Sequence, residues 1–178
     1  MRSIILIGIV IAGFALRFLG FSEQPFDSHS TRQCQTLATI EDFHRNGINL
    51  MKPNTIYMGY PGTLVLELPL FQALAASVYH AMGDHIELVR LLNIAFGACT
   101  AWLLFGIVRF AIDRTTAVTT VCIYWLAPLN IVYQRSTLID PMAVCCGLAA
   151  LYGLMLIANA ENVVTRRWPW FLFAVGVF

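Results

Sequence analysis

Three carboxylates and four arginines stand out as groups able to do chemistry: Asp27, Glu67 and Asp140, with Arg17, Arg32, Arg90 and Arg135. A carboxylate can take the proton from a hydroxyl as that hydroxyl becomes a nucleophile. Three carboxylates can together hold a divalent cation through oxygen ligands. Guanidinium groups pair bidentately with phosphate. His29 and Gln33 lie beside Arg32 and are candidate supporting groups. The four histidines, at 29, 44, 80 and 85, have no ligand spacing as a set, and neither do the five cysteines, so no histidine or cysteine metal site is expected. Each charged residue also has an ordinary alternative. Asp27 can cap a helix starting at Ser28, and Asp140 can cap a span whose first turn holds Pro141. Arg17 and Arg90 can snorkel to lipid head groups, and Glu67 can be a solvated residue before a helix. What decides between these readings is whether the chain brings the scattered groups to one place.

The chain that must do so is 58% hydrophobic and only 12% charged, against roughly 25% charged residues in a soluble domain. Residues 91–108, 115–134 and 141–160 contain no charge at all. About 20 helical residues cross the ~30 Å hydrocarbon core of a bilayer, so these stretches read as membrane spans. Such a chain is an all-α integral membrane protein, a polytopic helical bundle. Its formal net charge is +1 and it has no basic face, so nucleic acid is not an expected partner. At the N-terminus an apolar run follows Arg2 without a small-x-small cleavage site, which predicts an uncleaved first span at about 3–21. A last apolar run starts at Trp168 and ends with the sequence at Phe178, too short to span, so the sequence is expected to be the N-terminal portion of something longer.

Segment 62–83 decides the topology. It contains Glu67, Pro69, Gln72 and His80 and is more polar than the later stretches. Pro69 interrupts a continuous span but suits the first turn of a helix running to about residue 82. If this segment lies on the outer surface, the inner elements are the N-terminus with Arg2, the turn with Arg109 and Arg114, and the loop with Arg166 and Arg167. That distribution obeys the tendency of cytoplasmic loops to collect Lys and Arg. The expected order is a span at about 3–21, an outer loop at 22–87, spans at about 88–110, 116–134 and 138–159, and the start of another at 168–178. Within the loop, residues 28–46 read as an amphipathic helix, with Cys34, Leu37, Ile40 and Phe43 at three-residue intervals and Asn46-Gly47 as its stop. Residues 52–62, with Pro53, Gly59, Pro61 and Gly62, read as linker. This order places Arg17, Asp27, His29, Arg32, Glu67, Arg90, Arg135 and Asp140 at one outer interface, and ionisable groups at membrane depth suggest function.

The order of several short motifs resembles a known superfamily. Phe26-Asp27-Ser28-His29-Ser30-Thr31-Arg32-Gln33 is followed by Asn46-Gly47-Ile48-Asn49, then by Glu67-Leu68-Pro69-Leu70-Phe71-Gln72, then by Arg90-Leu91, Ala127-Pro128, Arg135 and Asp140-Pro141. Together they are similar to the N-terminal portion of the C-type membrane glycosyltransferases, the group of protein O-mannosyltransferases and lipid A aminoarabinose transferases. The resemblance implies a bundle with juxtamembrane helices in a long first outer loop. It implies a polyprenyl-phosphate sugar donor and a hydroxyl acceptor on a glycan, lipid or protein. It puts the acceptor on the periplasmic or lumenal side, and the expected setting is a bacterial inner membrane with the site facing the periplasm. It matches Asp27 to the family's first-loop acid, Glu67 to the acid before the proline-led helix, Arg90 to the arginine opening the next span, and Asp140 to the later Asp-Pro acid. Two positions depart from the pattern. Aminoarabinose transferases carry a lysine where this chain has Leu68, and mannosyltransferases usually have two consecutive acids where it has Asp27-Ser28.

The reaction expected on this basis is attack of the acceptor hydroxyl on the anomeric carbon, with inversion. Asp27 is the expected base, Arg17, Arg32 and Arg90 the groups for the donor phosphate, and Glu67 and Asp140 the acids that orient acceptor or arginines. His29, Gln33 and Arg135 support them, and a divalent cation held by the three acids is the open cofactor question. Two other readings compete: a transporter or flippase component for lipid-linked sugars, and a truncated, non-catalytic membrane subunit. The first calls for polar residues near mid-span, whereas those above collect at one interface.

Overall fold

The computed structural model describes residues 2–24, 29–53, 67–159 and 167–177. All regular structure among them is helical: α1 Arg2–Arg17, α2 Ser30–Asn46, α3 Leu70–Met82, α4 Ile86–Ala111, α5 Arg114–Leu126, α6 Pro128–Arg135, α7 Asp140–Ala158 and α8 Arg167–Val177. Helices α4 and α7 are long and apolar enough to cross a membrane, and α5 with α6 makes a third such length if the bent pair is one span. The protein is an all-α membrane protein.

The stretch expected as one span at 116–134 is instead broken, α5 and α6 meeting at 59°. Pro128 causes the break. It has no N–H to donate, and its ring drives the preceding residue out of the helical region, so Ala127 is extended at φ −61°, ψ 123°. The α5 end is started by Asp113, whose carboxylate accepts from the Thr115 and Thr116 amides at 2.7 and 3.3 Å. Its neighbour α7 begins without a side-chain cap, Ile139 being the capping residue and Asp140 the first helical one. At the other terminus, α1 stops at Arg17 and residues 18–23 continue as turns, with Gly20 at φ +69°.

Helices α2 and α3 pack on each other and on the beginnings of α4 and α7. Their shared core is Ile40, Phe43, Phe71, Ala75, Ala76, Tyr79 and Val89, with Phe96, Ile139 and Met142 against it. The 13 residues of α3 extend about 20 Å, short of a hydrocarbon core. Helix α8 runs back along α7, closely enough that a Cβ on Gly176 would lie 2.2 Å from the Cys146 carbonyl oxygen and one on Gly153 2.7 Å from that of Pro169. Small residues permit such contact between membrane helices.

Candidate active site at one end of the bundle

The turn after α1 leaves backbone carbonyls without helical partners, and arginines from two other elements supply donors. Arg135, at the end of α6, donates through Nη1 to the Leu19 carbonyl at 3.0 Å. Arg90, in the first turns of α4 and only 3% exposed, donates through Nη1 to the Gly20 carbonyl at 3.0 Å and to that of Phe21. Both guanidinium groups thus hold the chain six residues or fewer before it reaches 25–28, a segment outside the described residues. Asp27, the expected base, lies in that segment.

The segment between α6 and α7 is held just as closely. Gln33 of α2, fully buried, accepts through Oε1 from the Thr137 amide at 3.1 Å and from its hydroxyl at 3.3 Å. Asn93 of α4 donates to the carbonyls of Ser136 and Leu138 at 2.8 and 2.7 Å. Side chains of α2 and α4 therefore position the loop that leads into Asp140. His29 precedes α2 with φ 59°, the one left-handed residue other than glycine among those described. Its ring Nε2 lies 3.2 Å from the Tyr133 hydroxyl, with the rings edge to face. A sparsely populated backbone conformation of this kind persists only where its surroundings enforce it.

Arg32 and Glu67 form an ion pair, each side chain about one-third exposed, and Arg32 also donates to Gln35 at 3.3 Å. Asp140 is exposed at the start of α7. Two apolar-walled clefts flank that start. One, of about 230 Å³, is lined by Asp140 with Tyr124, Leu129, Tyr133, Gln134 and Val144. The other, of about 200 Å³, runs from Glu67 past Leu68 and Phe71 to Ile139, Met142 and Cys146. One end of the bundle therefore gathers His29, Arg32, Gln33, Glu67, Arg90, Arg135 and Asp140. Among the described residues no three His, Cys, Asp or Glu side chains group as metal ligands.

Arg17 is placed differently. It is fully buried, with Nε donating to Gln134 Oε1 at 2.6 Å, Nη2 to the Trp125 carbonyl at 3.0 Å, and Nη1 to the Gly13 carbonyl. Its guanidinium carbon stacks 3.9 Å from the centre of the Trp125 ring. Gln134 passes the network on, donating to the Tyr124 hydroxyl at 2.8 Å. Arg17 is committed to the interior at the α5–α6 bend and is not brought to either cleft. Sequence reasoning missed Asn93, Tyr124, Trp125, Tyr133, Gln134 and Thr137. The readable signal was amides within charge-free stretches, because a polar side chain at that depth needs an internal partner.

An all-helical bundle with helices long and apolar enough to cross a membrane, gathering acids and arginines at one end beside apolar clefts, defines the class: a polytopic membrane protein. The family model described as dolichyl-phosphate-mannose-protein mannosyltransferase matches residues 67–178, and the chain belongs to that family, within the C-type membrane glycosyltransferases. The match starts at Glu67 and takes in Arg90, Arg135 and Asp140. No curated protein and no solved structure gives a significant match.

Proposed function

We propose that this glycosyltransferase moves a sugar from a polyprenyl-phosphate donor to a hydroxyl of a glycan, lipid or protein acceptor, on the non-cytoplasmic face of a bacterial inner membrane. The observation that carries this reading is the convergence of Arg32–Glu67, Arg90, Arg135 and Asp140 beside clefts whose apolar walls suit a prenyl chain. The family's description, naming a polyprenyl-type phosphate sugar as donor, supports it.

In the proposed step the acceptor oxygen bonds to the anomeric carbon from the face opposite the phosphate. The bond from that carbon to the phosphate oxygen breaks, and polyprenyl phosphate leaves with the electron pair. Asp27 takes the acceptor's proton late, as the hydroxyl becomes acidic on bonding to the anomeric carbon. Arg32, the most accessible guanidinium of the group expected at the phosphate, exchanges Glu67 for the leaving group and stabilises its charge. Arg90 and Arg135 act one step back, fixing the turn from which the Asp27 segment departs. Arg17 maintains the bend that places Arg135. Glu67, once released, and Asp140 orient the acceptor.

The test is transfer of radiolabelled sugar from polyprenyl-phosphate donors to envelope acceptors by the full-length protein in membranes. Asp27→Asn is expected to lower turnover by 10²-fold or more, in the range of general-base catalysis. Wild-type turnover in that variant removes Asp27 as the base. A wild-type protein that neither transfers nor hydrolyses any donor removes the enzyme reading. Labelling of a cysteine placed at 113 from the outer side would reverse the proposed orientation.

A further inference from the structure

At the end of the bundle away from the clefts of the candidate site lies a third, larger one, of about 480 Å³, between the last turns of α4 and the later half of α7. Trp102, Phe105, Phe110 and Tyr152 wall it, and Arg109 stands at its edge. Gly106 makes the space: a Cβ there would lie 2.8 Å from Tyr152 Cζ and 3.0 Å from its hydroxyl, so a larger residue pushes the tyrosine aside. Trp102 is 56% exposed and Phe110 44%, a large aromatic area for a surface that no other described element covers. Arg109 is exposed and has neither a hydrogen bond nor an ion pair among the described residues. The adjoining Gly153 faces the Pro169 carbonyl, so the tryptophan-rich start of α8 lies at the same level.

We propose that this cleft is a binding site for an anionic phospholipid of the leaflet opposite the catalytic mouth. The phosphate would pair with the Arg109 guanidinium, and the first methylenes of an acyl chain would lie along Trp102, Phe105 and Tyr152. Three features fit that occupant. An aromatic belt with an arginine at the end of a span is the composition of a membrane–water interface. Basic pockets between transmembrane helices bind acidic head groups on the cytoplasmic side. Apart from Arg109 and Gly106 the lining residues are all aromatic, which suits a chain-bearing ligand better than a free anion. The site is independent of the proposed reaction and shares no residue with it.

The test is quenching of tryptophan fluorescence by brominated lipid, with the full-length protein in nanodiscs and every tryptophan other than Trp102, among them Trp125, Trp168 and Trp170, replaced by Phe so that Trp102 reports alone. Brominated phosphatidylglycerol is expected to be preferred over brominated phosphatidylcholine, and Arg109→Gln to lower that preference about fivefold, the effect of one cationic residue at an anionic surface. Arg109→Lys should restore most of it. Arg114→Gln, at the first residue of α5 and outside the cleft, should leave it unchanged. Equal loss in Arg109→Gln and Arg114→Gln shows only general leaflet charge and overturns the site, as does an unchanged preference in Arg109→Gln. Relief of the quenching by millimolar inorganic phosphate, with no effect of matched sulfate, assigns the cleft to a free anion and overturns the lipid.

Discussion

Residues 115–134 and 141–160 are charge-free runs of equal length, yet the first folds as two helices at 59° and the second mostly as the single helix α7. Both contain one proline, and its position makes the difference. Pro141 sits in the first turn, where its missing N–H costs nothing. Pro128 sits in the interior, where the Tyr124 carbonyl loses its helical donor and the geometry of the break frees that of Trp125. In a membrane such acceptors need partners from within the protein. Asn130 Nδ2 serves the Tyr124 carbonyl at 3.0 Å, and Arg17 serves that of Trp125. The buried arginine and the proline are thus two halves of one arrangement. Helix α7, unbroken, carries no such network and packs by small residues against α8.

The largest effect should come from removing the arginine. Arg17→Leu leaves the Trp125 carbonyl and the Gln134 amide oxygen without their donor and takes the second donor from the Gly13 carbonyl, which should cost about 3 kcal/mol or more, since hydrogen bonds to charged groups and unsatisfied buried acceptors each contribute on that scale. The midpoint of unfolding in an SDS titration measures it. Arg17→Lys should recover only part, because an ammonium cannot reproduce the three-way fork. The decisive comparison adds Pro128→Ala. If the broken pair straightens, Trp125 regains a backbone donor and the penalty for losing Arg17 should fall by about 1 kcal/mol in a double-mutant cycle. Equal penalties in both backgrounds would separate the arginine from the break.

A second contrast uses two glycines. A Cβ at Gly97 would sit 2.2 Å from Gln134 Cδ, whereas one at Gly147 meets nothing within 4 Å. Gly97→Ala should therefore destabilise by about 1–3 kcal/mol through overpacking of the network. Gly147→Ala should be neutral or stabilise by up to about 1 kcal/mol through helix propensity. The same SDS titration checks both, and a neutral Gly97→Ala would show that Gln134 is not fixed by Arg17.

These contrasts also show what could be read in advance. The spans expected at about 88–110 and 138–159 match α4 and α7 to within about two residues, and the three-residue spacing of Leu37, Ile40 and Phe43 locates α2. Ala127-Pro128 was visible as a motif, but hydropathy averaged over the run concealed the break. Arg32 and Glu67 were singled out separately. Nothing local in the chain pairs residues 35 positions apart, and only the fold makes them an ion pair. Arg17 illustrates the same gap in reverse. Its position near the end of a span suits a phosphate contact equally well, and two of the three acceptors that claim it belong to residues more than 100 positions away.

The smallest effect distinguishes the two runs at their starts. Helix α5 begins on the Asp113 carboxylate, and α7 begins with no side-chain cap. The Thr116 hydroxyl and the Thr115 amide, with a smaller contribution from the Thr116 amide, hold the Asp113 pKa below its ordinary value. A group whose pKa is lower folded than unfolded contributes stability above the unfolded value, and that contribution is lost as pH falls through the folded one. Hydrogen exchange at the Thr115 and Thr116 amides should therefore accelerate, relative to the intrinsic rate, as pH drops below about 4, while the first turn of α7 stays unchanged. Asp113→Asn keeps an oxygen acceptor but cannot titrate, so its protection should be independent of pH across that range. If both helix starts loosen together on acidification, the difference between them lies elsewhere than in the cap.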